Sequence, residues 1–178
     1  MLFRSAPRRL EAETVRDAML AVSGELNPRL SGPSFRPFTV TTLLTSFYHP
    51  VDDGRRDFSR RSVYRMNVNT GRSPLLDALD CPAPALAAPR RRTTTTPQQA
   101  LALMNDSFVL RQTERLADRV RRAVGADPSA QVGLAYRLAF GRLPRGGERT
   151  ATERLVTEHG LESACWVLLN ASEFLYVQ

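Results

Sequence analysis

Stretches in which apolar residues return every three or four positions alternate, along this chain, with stretches broken by proline and glycine. The first pattern places apolar side chains on one face of a helix. Over Pro7 to Ser23, that face is Val15, Ala18, Met19 and Val22, and Gly24 supplies the stop. Arg8, Arg9, Glu11, Glu13, Arg16 and Asp17 form the wet side. From Thr96 onward the signals are denser. Thr96-Pro97-Gln98-Gln99 reads as an N-cap, a proline at the first helical position and a capping-box glutamine, opening a short helix that ends near Asn105. Asp106 caps a helix over Ser107 to Val124, with Val109, Thr113, Leu116, Ala117, Val120 and Val124 inward. Arg111, Arg115, Arg119 and Arg122 face outward, and Gly125 ends it. Asp127-Pro128 starts a helix to Phe140, with Val132, Tyr136, Ala139 and Phe140 inward, stopped by Gly141. A helix over Gly147 to His159 stops at Gly160, and a last one over Leu161 to Ser172 carries Leu161, Ala164, Cys165, Leu168 and Leu169 on one stripe. Connections of a few residues make these helices antiparallel neighbours.

The segment between the first helix and Thr96 has a different texture. Asn27-Pro28, Gly32-Pro33 and Pro37 exclude regular structure up to that point. Phe38 to Tyr48 is rich in the strand formers Thr, Val, Phe and Tyr, and Arg61 to Val68 alternates well enough for a second strand. His49-Pro50-Val51-Asp52-Asp53-Gly54 between them is turn chemistry, so an irregular antiparallel hairpin with a long loop is expected. Residues 69–96 form a connector divided by Pro74, Pro82, Pro84 and Pro89, with one helical turn at Leu75 to Leu79. The predicted fold class is mainly α: short antiparallel helices forming a small bundle, with an irregular β-hairpin in the N-terminal half. The layout is an N-terminal helix (1–24), a loop, hairpin and Pro/Arg-rich connector (25–96), and a helical bundle (97–178), within one domain.

Composition supports a core, since the 178 residues are 42% hydrophobic and 24% charged. The formal net charge of +7 points at first to polyanions. Two absences temper that. There is no Lys and no Ile, so all 25 basic residues are Arg, the pattern that codon bias in a GC-rich genome produces. The charge is also uneven: residues 1–124 hold 20 Arg against 12 acids, and residues 125–178 hold 5 against 6. No stretch of apolar residues is long enough to span a membrane, and the first ten residues lack the apolar run of a secretory signal. Cys81 and Cys165 form no C-x-x-C or haem-attachment motif. They read as small core thiols, and an oxidising compartment would also admit one bridge between them. His49 and His159 have no ligand spacing, and no zinc pattern, nucleophile elbow or glycine-rich phosphate loop is present. No cofactor is expected in this chain.

Three places could carry chemistry. Asp77 and Asp80, three apart, bring two carboxylates to one side of a helical turn, which suits acid/base work or an oxygen-ligated cation. Their plain role is to cap the short helix and pair with Arg72 or Arg90. Arg90, Arg91 and Arg92 lead straight into the helix capped by Thr96, and guanidinium groups beside free N–H groups form a natural anion site. The plain alternative is a clamp that ties the connector to the bundle through acids such as Asp80 or Glu173. On the alternating segment, Arg61 and Arg65 share one face and Tyr64 the other, with Arg60 alongside, so an anion-binding face competes with structural ion pairing. Asn170 and Glu173 are read as satisfying groups at a helix end.

Several strings, taken in order, then carry a resemblance. Phe58-Ser59-Arg60-Arg61-Ser62-Val63-Tyr64-Arg65-Met66 is followed by Arg72-Ser73-Pro74-Leu75-Leu76-Asp77-Ala78-Leu79-Asp80-Cys81-Pro82. Next comes Arg91-Arg92-Thr93-Thr94-Thr95-Thr96-Pro97-Gln98-Gln99-Ala100-Leu101-Ala102-Leu103-Met104-Asn105-Asp106-Ser107-Phe108-Val109-Leu110. Ala135-Tyr136-Arg137-Leu138-Ala139-Phe140-Gly141-Arg142 and Leu168-Leu169-Asn170-Ala171-Ser172-Glu173-Phe174-Leu175-Tyr176-Val177 close the set. Over essentially its whole length the chain resembles the planctomycete-specific domain of unknown function that lies at the C-terminus of large multidomain proteins. Those proteins often also carry a planctomycete-type cytochrome c domain. Arg8 to Ala18 resembles a position well inside that domain, which makes this chain its C-terminal part. Gln98, where an apolar residue is expected, and Arg145-Gly146-Gly147, where acids are expected, depart from the pattern.

The resemblance implies an extracytoplasmic setting, periplasmic or at the cell surface, although this chain shows no signal peptide. It implies partners in the remainder of the parent domain and a neighbouring cytochrome c-type domain, and no assigned catalytic residues. The expected role is structural or interactive, with nucleic acid not expected as a partner. Two alternatives stand beside it: part of a hydrolase-like, polysaccharide-processing site completed by other residues, and polyanion binding through the Arg-rich face.

Overall fold

The computed structural model describes residues 7–51, 54–85 and 87–177. Among them the helices are α1 (Ala12–Ser23), α2 (Pro74–Ala78), α3 (Pro97–Asn105), α4 (Ser107–Val124), α5 (Pro128–Phe140), α6 (Gly146–Asn170) and α7 (Ser172–Leu175). The strands are β1 (Arg8–Arg9), β2 (Phe38–Thr42), β3 (Ser46–Pro50) and β4 (Tyr176–Val177). The protein is mainly α with small antiparallel strand pairs, as its residue pattern predicts.

The predicted caps form. Thr96 Oγ1 accepts from Gln99 N–H at 3.3 Å, and Gln99 Oε1 accepts from Thr96 N–H at 3.3 Å. Asp106 accepts from Phe108 N–H at 2.9 Å, and Asp127 accepts from Ser129 and Ala130 N–H at 3.3 and 3.1 Å. Each of these satisfies an N–H that the first helical turn leaves without a partner. The weak start at Gly146-Gly147 is held by Glu148, whose carboxylate reaches back to Arg145 N–H at 2.7 Å. Gly160 (φ 86, ψ 163) interrupts α6, which divides it where the stop signal stood.

The core collects apolar faces from all the longer helices. Val15 and Met19 of α1, Leu116 and Val120 of α4, Val132 of α5, and Cys165 and Leu169 of α6 are fully buried. Leu75, Leu76 and Leu79 join them from α2 and its end. Cys165 is buried and Cys81 half-buried, and both are free thiols.

Three features differ from the sequence reading. Helix α1 begins at Ala12 and not Pro7, because Arg8 and Arg9 pair antiparallel with Val177 and Tyr176, and Leu10 N–H donates to Leu175 O at 2.8 Å. Arg16, placed on the wet side, is buried at 8% exposure. The partner of β2 is Ser46–Pro50 and not Arg61–Val68, with Thr42 opposite Ser46. The hairpin turn therefore falls on Leu43-Leu44-Thr45, which carry no turn signal; of the turn expected at His49 to Gly54, Asp52 and Asp53 lie outside the described residues.

The segment after Gly54 curls because its backbone groups are taken one at a time. Asn27 N–H donates to Ser59 O, Phe35 N–H to Tyr64 O, and Met66 N–H to Phe35 O, at 3.0, 2.9 and 2.9 Å. Arg16 takes the carbonyls of Arg60 and Phe58 at 3.0 and 2.5 Å. No ladder survives, and 3₁₀ turns form at Arg56–Ser59 and Ser62–Tyr64.

Candidate functional site

Asp80 lies at the end of α2, in the left-handed region (φ 67). Its N–H donates to Asp77 O at 3.2 Å and Cys81 N–H to Leu76 O at 2.9 Å, a Schellman ending with aspartate where glycine is usual. A non-glycine residue there costs about 1–3 kcal/mol unless its surroundings hold it. They do. The Asp80 carboxylate accepts from Arg9 Nη2 at 2.6 Å, Thr94 N–H at 2.8 Å, Thr94 Oγ1 at 2.9 Å and Gln99 Nε2 at 3.0 Å. Burial alone would raise its pKa; the hydrogen bonds from Thr94 and Arg9 overcome that and hold the carboxyl below its ordinary range.

Arg9 is the cation at the centre of this cluster, with 8% of its side chain exposed. It donates to Leu79 O at 3.1 Å, to Gln99 Oε1 at 2.6 Å and to Thr94 O. Its position comes from β1, which presses Arg9 against Tyr176. Arg9 thus joins the chain's two described ends through its backbone, and the α2 terminus to the α3 capping box through its guanidinium. Nothing in the local pattern marks it, because the pairing partner lies at the far end of the chain.

The other candidates separate. Asp77 pairs with Arg72 at 2.8 Å, so the two aspartates answer to different cations. Arg91 is held by Glu13 at 2.7 Å and Glu11 at 3.4 Å. Arg90 and Arg92 are exposed and make no hydrogen bond or ion pair among the described residues. Thr96 stays within its capping box. Cys81 Sγ lies 3.6 Å from Glu13 Oε1; burial, and then that carboxylate, push its thiol up to about 11.

In the middle segment the buried cation is Arg60, not Arg61 or Arg65. Arg60 donates to Pro33 O at 2.7 Å and Ser31 O at 2.6 Å, and stacks over the Tyr64 ring at 4.1 Å. Arg61 stays exposed with Asp17 at 3.7 Å, and Arg65 donates to Gly71 O at 3.2 Å. In the helical half Arg142 forks to Glu148 at 2.7 and 2.8 Å and to Glu173 at 2.6 Å. Asn170 Nδ2 donates to Trp166 O at 2.9 Å, which satisfies a carbonyl in the last turn of α6.

These arrangements hold backbone together. A general acid needs a pKa raised toward neutrality, and that of Asp80 is shifted the other way. Among the described residues no group of three or more His, Cys, Asp or Glu is placed to hold a metal, and no helix is long and apolar enough to cross a membrane.

A family model described as PSD1, protein of unknown function (DUF1553), matches residues 1–156. No curated protein and no solved structure matches the chain.

Proposed function

The chain belongs to the PSD1 family of proteins of unknown function (DUF1553), and from that premise we propose that it is a structural and interaction module of a larger extracytoplasmic protein. The observation that carries this reading is the employment of its arginines. Arg9, Arg16 and Arg60 are almost fully buried and donate mainly to backbone carbonyls from distant segments. Such contacts satisfy carbonyls that irregular backbone would otherwise bury without partners. They suit a scaffold that must keep a long irregular middle in one conformation.

The interacting element is the β2–β3 hairpin. Its tip presents Leu43 at 76% exposure and the still more open Leu44, beside the exposed Val40 and Phe47. An apolar projection of this kind favours a protein surface as its contact. A hydrolase-like role finds less support, because Asp77 and Asp80 are each neutralised by a separate arginine.

Hydrogen exchange on the parent protein and on this chain alone tests the reading. Slower exchange at Leu43 and Leu44 within the parent supports an interaction role. Equal exchange in both removes it. A companion titration with double-stranded DNA and heparin is expected to give no saturable complex near physiological salt. A complex with a steep salt dependence would favour polyanion binding instead.

A further inference from the structure

The end of the connector is pinned at two points. Arg91 donates to both carboxylate oxygens of Glu13 at 2.9 and 2.7 Å, and Thr94 donates to Asp80 through its N–H at 2.8 Å and its hydroxyl at 2.9 Å. Arg92 and Thr93 lie between these anchors, and both are exposed. Neither their side chains nor their N–H groups have a hydrogen-bond acceptor among the described residues. Two adjoining cavities flank this stretch and share Asp80, Arg91 and Arg92. One, of about 180 Å³, is also lined by Arg8 and Thr93; the other, of about 490 Å³, by Arg90, Pro82 and Pro89. The cavities and the ion pairs at their rim gather Arg8, Arg9, Arg90, Arg91 and Arg92 around Glu11, Glu13 and Asp80, an excess of two positive charges. Asp80 takes Arg9, and the two glutamates take Arg91. Arg8, Arg90 and Arg92 are left with no carboxylate among the described residues. Like charges held this close repel, and an anion between them relieves the repulsion.

We infer that this groove binds the terminal phosphoryl group of a small phosphomonoester, with Arg8 and Arg92 as its cations, Thr93 as a neutral donor and the proline-lined cavity beside its organic part. Charge narrows the class. A phosphomonoester carries close to two negative charges above a second pKa of about 6, which matches the excess of two. Guanidinium forks also pair with phosphoryl oxygens two at a time. A diester of duplex DNA or a sulfo group of heparin brings one charge, so the groove does not call for a polyanion. The site is independent of the scaffold role: the hairpin and these cavities share no residue. Failure of one reading leaves the other standing.

Phenyl phosphate and phenyl sulfate serve as probes because they share a shape and differ by one charge, and inorganic phosphate lacks the ring. The amide resonances of Arg92 and Thr93 report binding from within the groove. At about one pH unit or more above the second phosphate pKa, phenyl phosphate is expected to shift both amides saturably. It should bind about tenfold tighter than phenyl sulfate, the ratio one charge-assisted hydrogen bond supports, and tighter than inorganic phosphate. Arg8→Gln and Arg92→Gln are each expected to weaken it about tenfold. Both side chains are exposed, so the Tm of each variant should stay that of the native protein. Arg122→Gln removes a charge that lines neither cavity and should leave the affinity unchanged. No saturable shift, equal binding of phenyl phosphate and phenyl sulfate, or an equal loss in Arg122→Gln would each overturn the assignment. Inorganic phosphate bound as tightly as phenyl phosphate would overturn the ester and leave a site for the free ion.

Discussion

Asp80 concentrates the chemistry of this protein in one residue. Its backbone takes a conformation that glycine prefers, and its carboxylate is the acceptor that makes this tolerable. Asp80→Asn separates the two roles, since asparagine also tolerates the left-handed region but lacks the charge. Loss of a buried, charge-assisted network of this kind is expected to cost about 2 kcal/mol, measured by urea unfolding. The sign of its pH dependence follows from the pKa. The folded value lies below the ordinary 3.8, so the stabilisation is fully present above that pH and fades as pH falls through the folded value. The gap between the native protein and Asp80→Asn should accordingly close in acid. Glu148 behaves in the same sense: its hydrogen bonds from Arg142 and from Arg145 N–H lower its pKa from 4.5 to about 2. The Tm difference between native protein and Glu148→Gln is expected to shrink between those two values. The thiols give a third residue-scale prediction. Burial pushes Cys165 up to about 12 and Cys81 up to about 11, so neither is nucleophilic at pH 8. Ellman's reagent should titrate them slowly in the native state and at once in denaturant.

Helix ends and one tight crossing set the limits of the elements. The capping box at Thr96 starts α3 and also orients Gln99, which reaches Arg9 and Asp80. Thr96→Ala is expected to cost about 1 kcal/mol for the cap alone. A larger loss would mean that the cap also holds the Arg9 cluster in place. Gly71 marks the crossing beneath the hairpin. A Cβ there would come within 2.7 Å of Val68 Cγ2 and 3.2 Å of both Phe38 and Tyr48. Phe38 and Tyr48 are themselves packed edge to face at 5.1 Å, so they have little room to yield. Gly71→Ala should therefore disturb the seating of β2–β3, seen as faster amide exchange at Phe38 and Tyr48, while the α4–α6 core keeps its protection.

At the scale of the whole molecule, the Arg9 cluster is built from residues far apart in the chain. The β1–β4 pair joins the two described ends, and Arg9 ties that junction to the connector and to α3. Removing Tyr176 to Gln178 is expected to free β1 and with it Arg9, lowering stability by more than the two-residue strand itself would suggest. Comparison with Asp80→Asn in one double-mutant cycle checks this, because coupled losses fall short of additivity. The same long-range character is visible in the middle segment, where Arg16 and Arg60 hold carbonyls contributed by separate loops.

The helical half was legible from residues alone. Caps at Thr96, Asp106 and Asp127, stops at Gly125, Gly141 and Gly160, and the stripe through Leu161, Cys165 and Leu169 are local signals, and local signals act within a turn or two of chain. The pairing of Asp77 with Arg72 was legible for the same reason. The hairpin partner was not, because Leu43-Leu44-Thr45 lack turn chemistry and the alternating Arg61 to Val68 spends its backbone groups on an isolated bridge to Phe35 and on a 3₁₀ turn instead of a ladder. Arg9 was not legible either. Its wet-face spacing placed it in a helix that starts only at Ala12, because Arg9 itself pairs with Tyr176. Residue order by itself determined which stretches coil into helices and where they stop. Tertiary structure decided which of many arginines go inside, because a guanidinium is worth burying only where distant carbonyls and carboxylates converge on it.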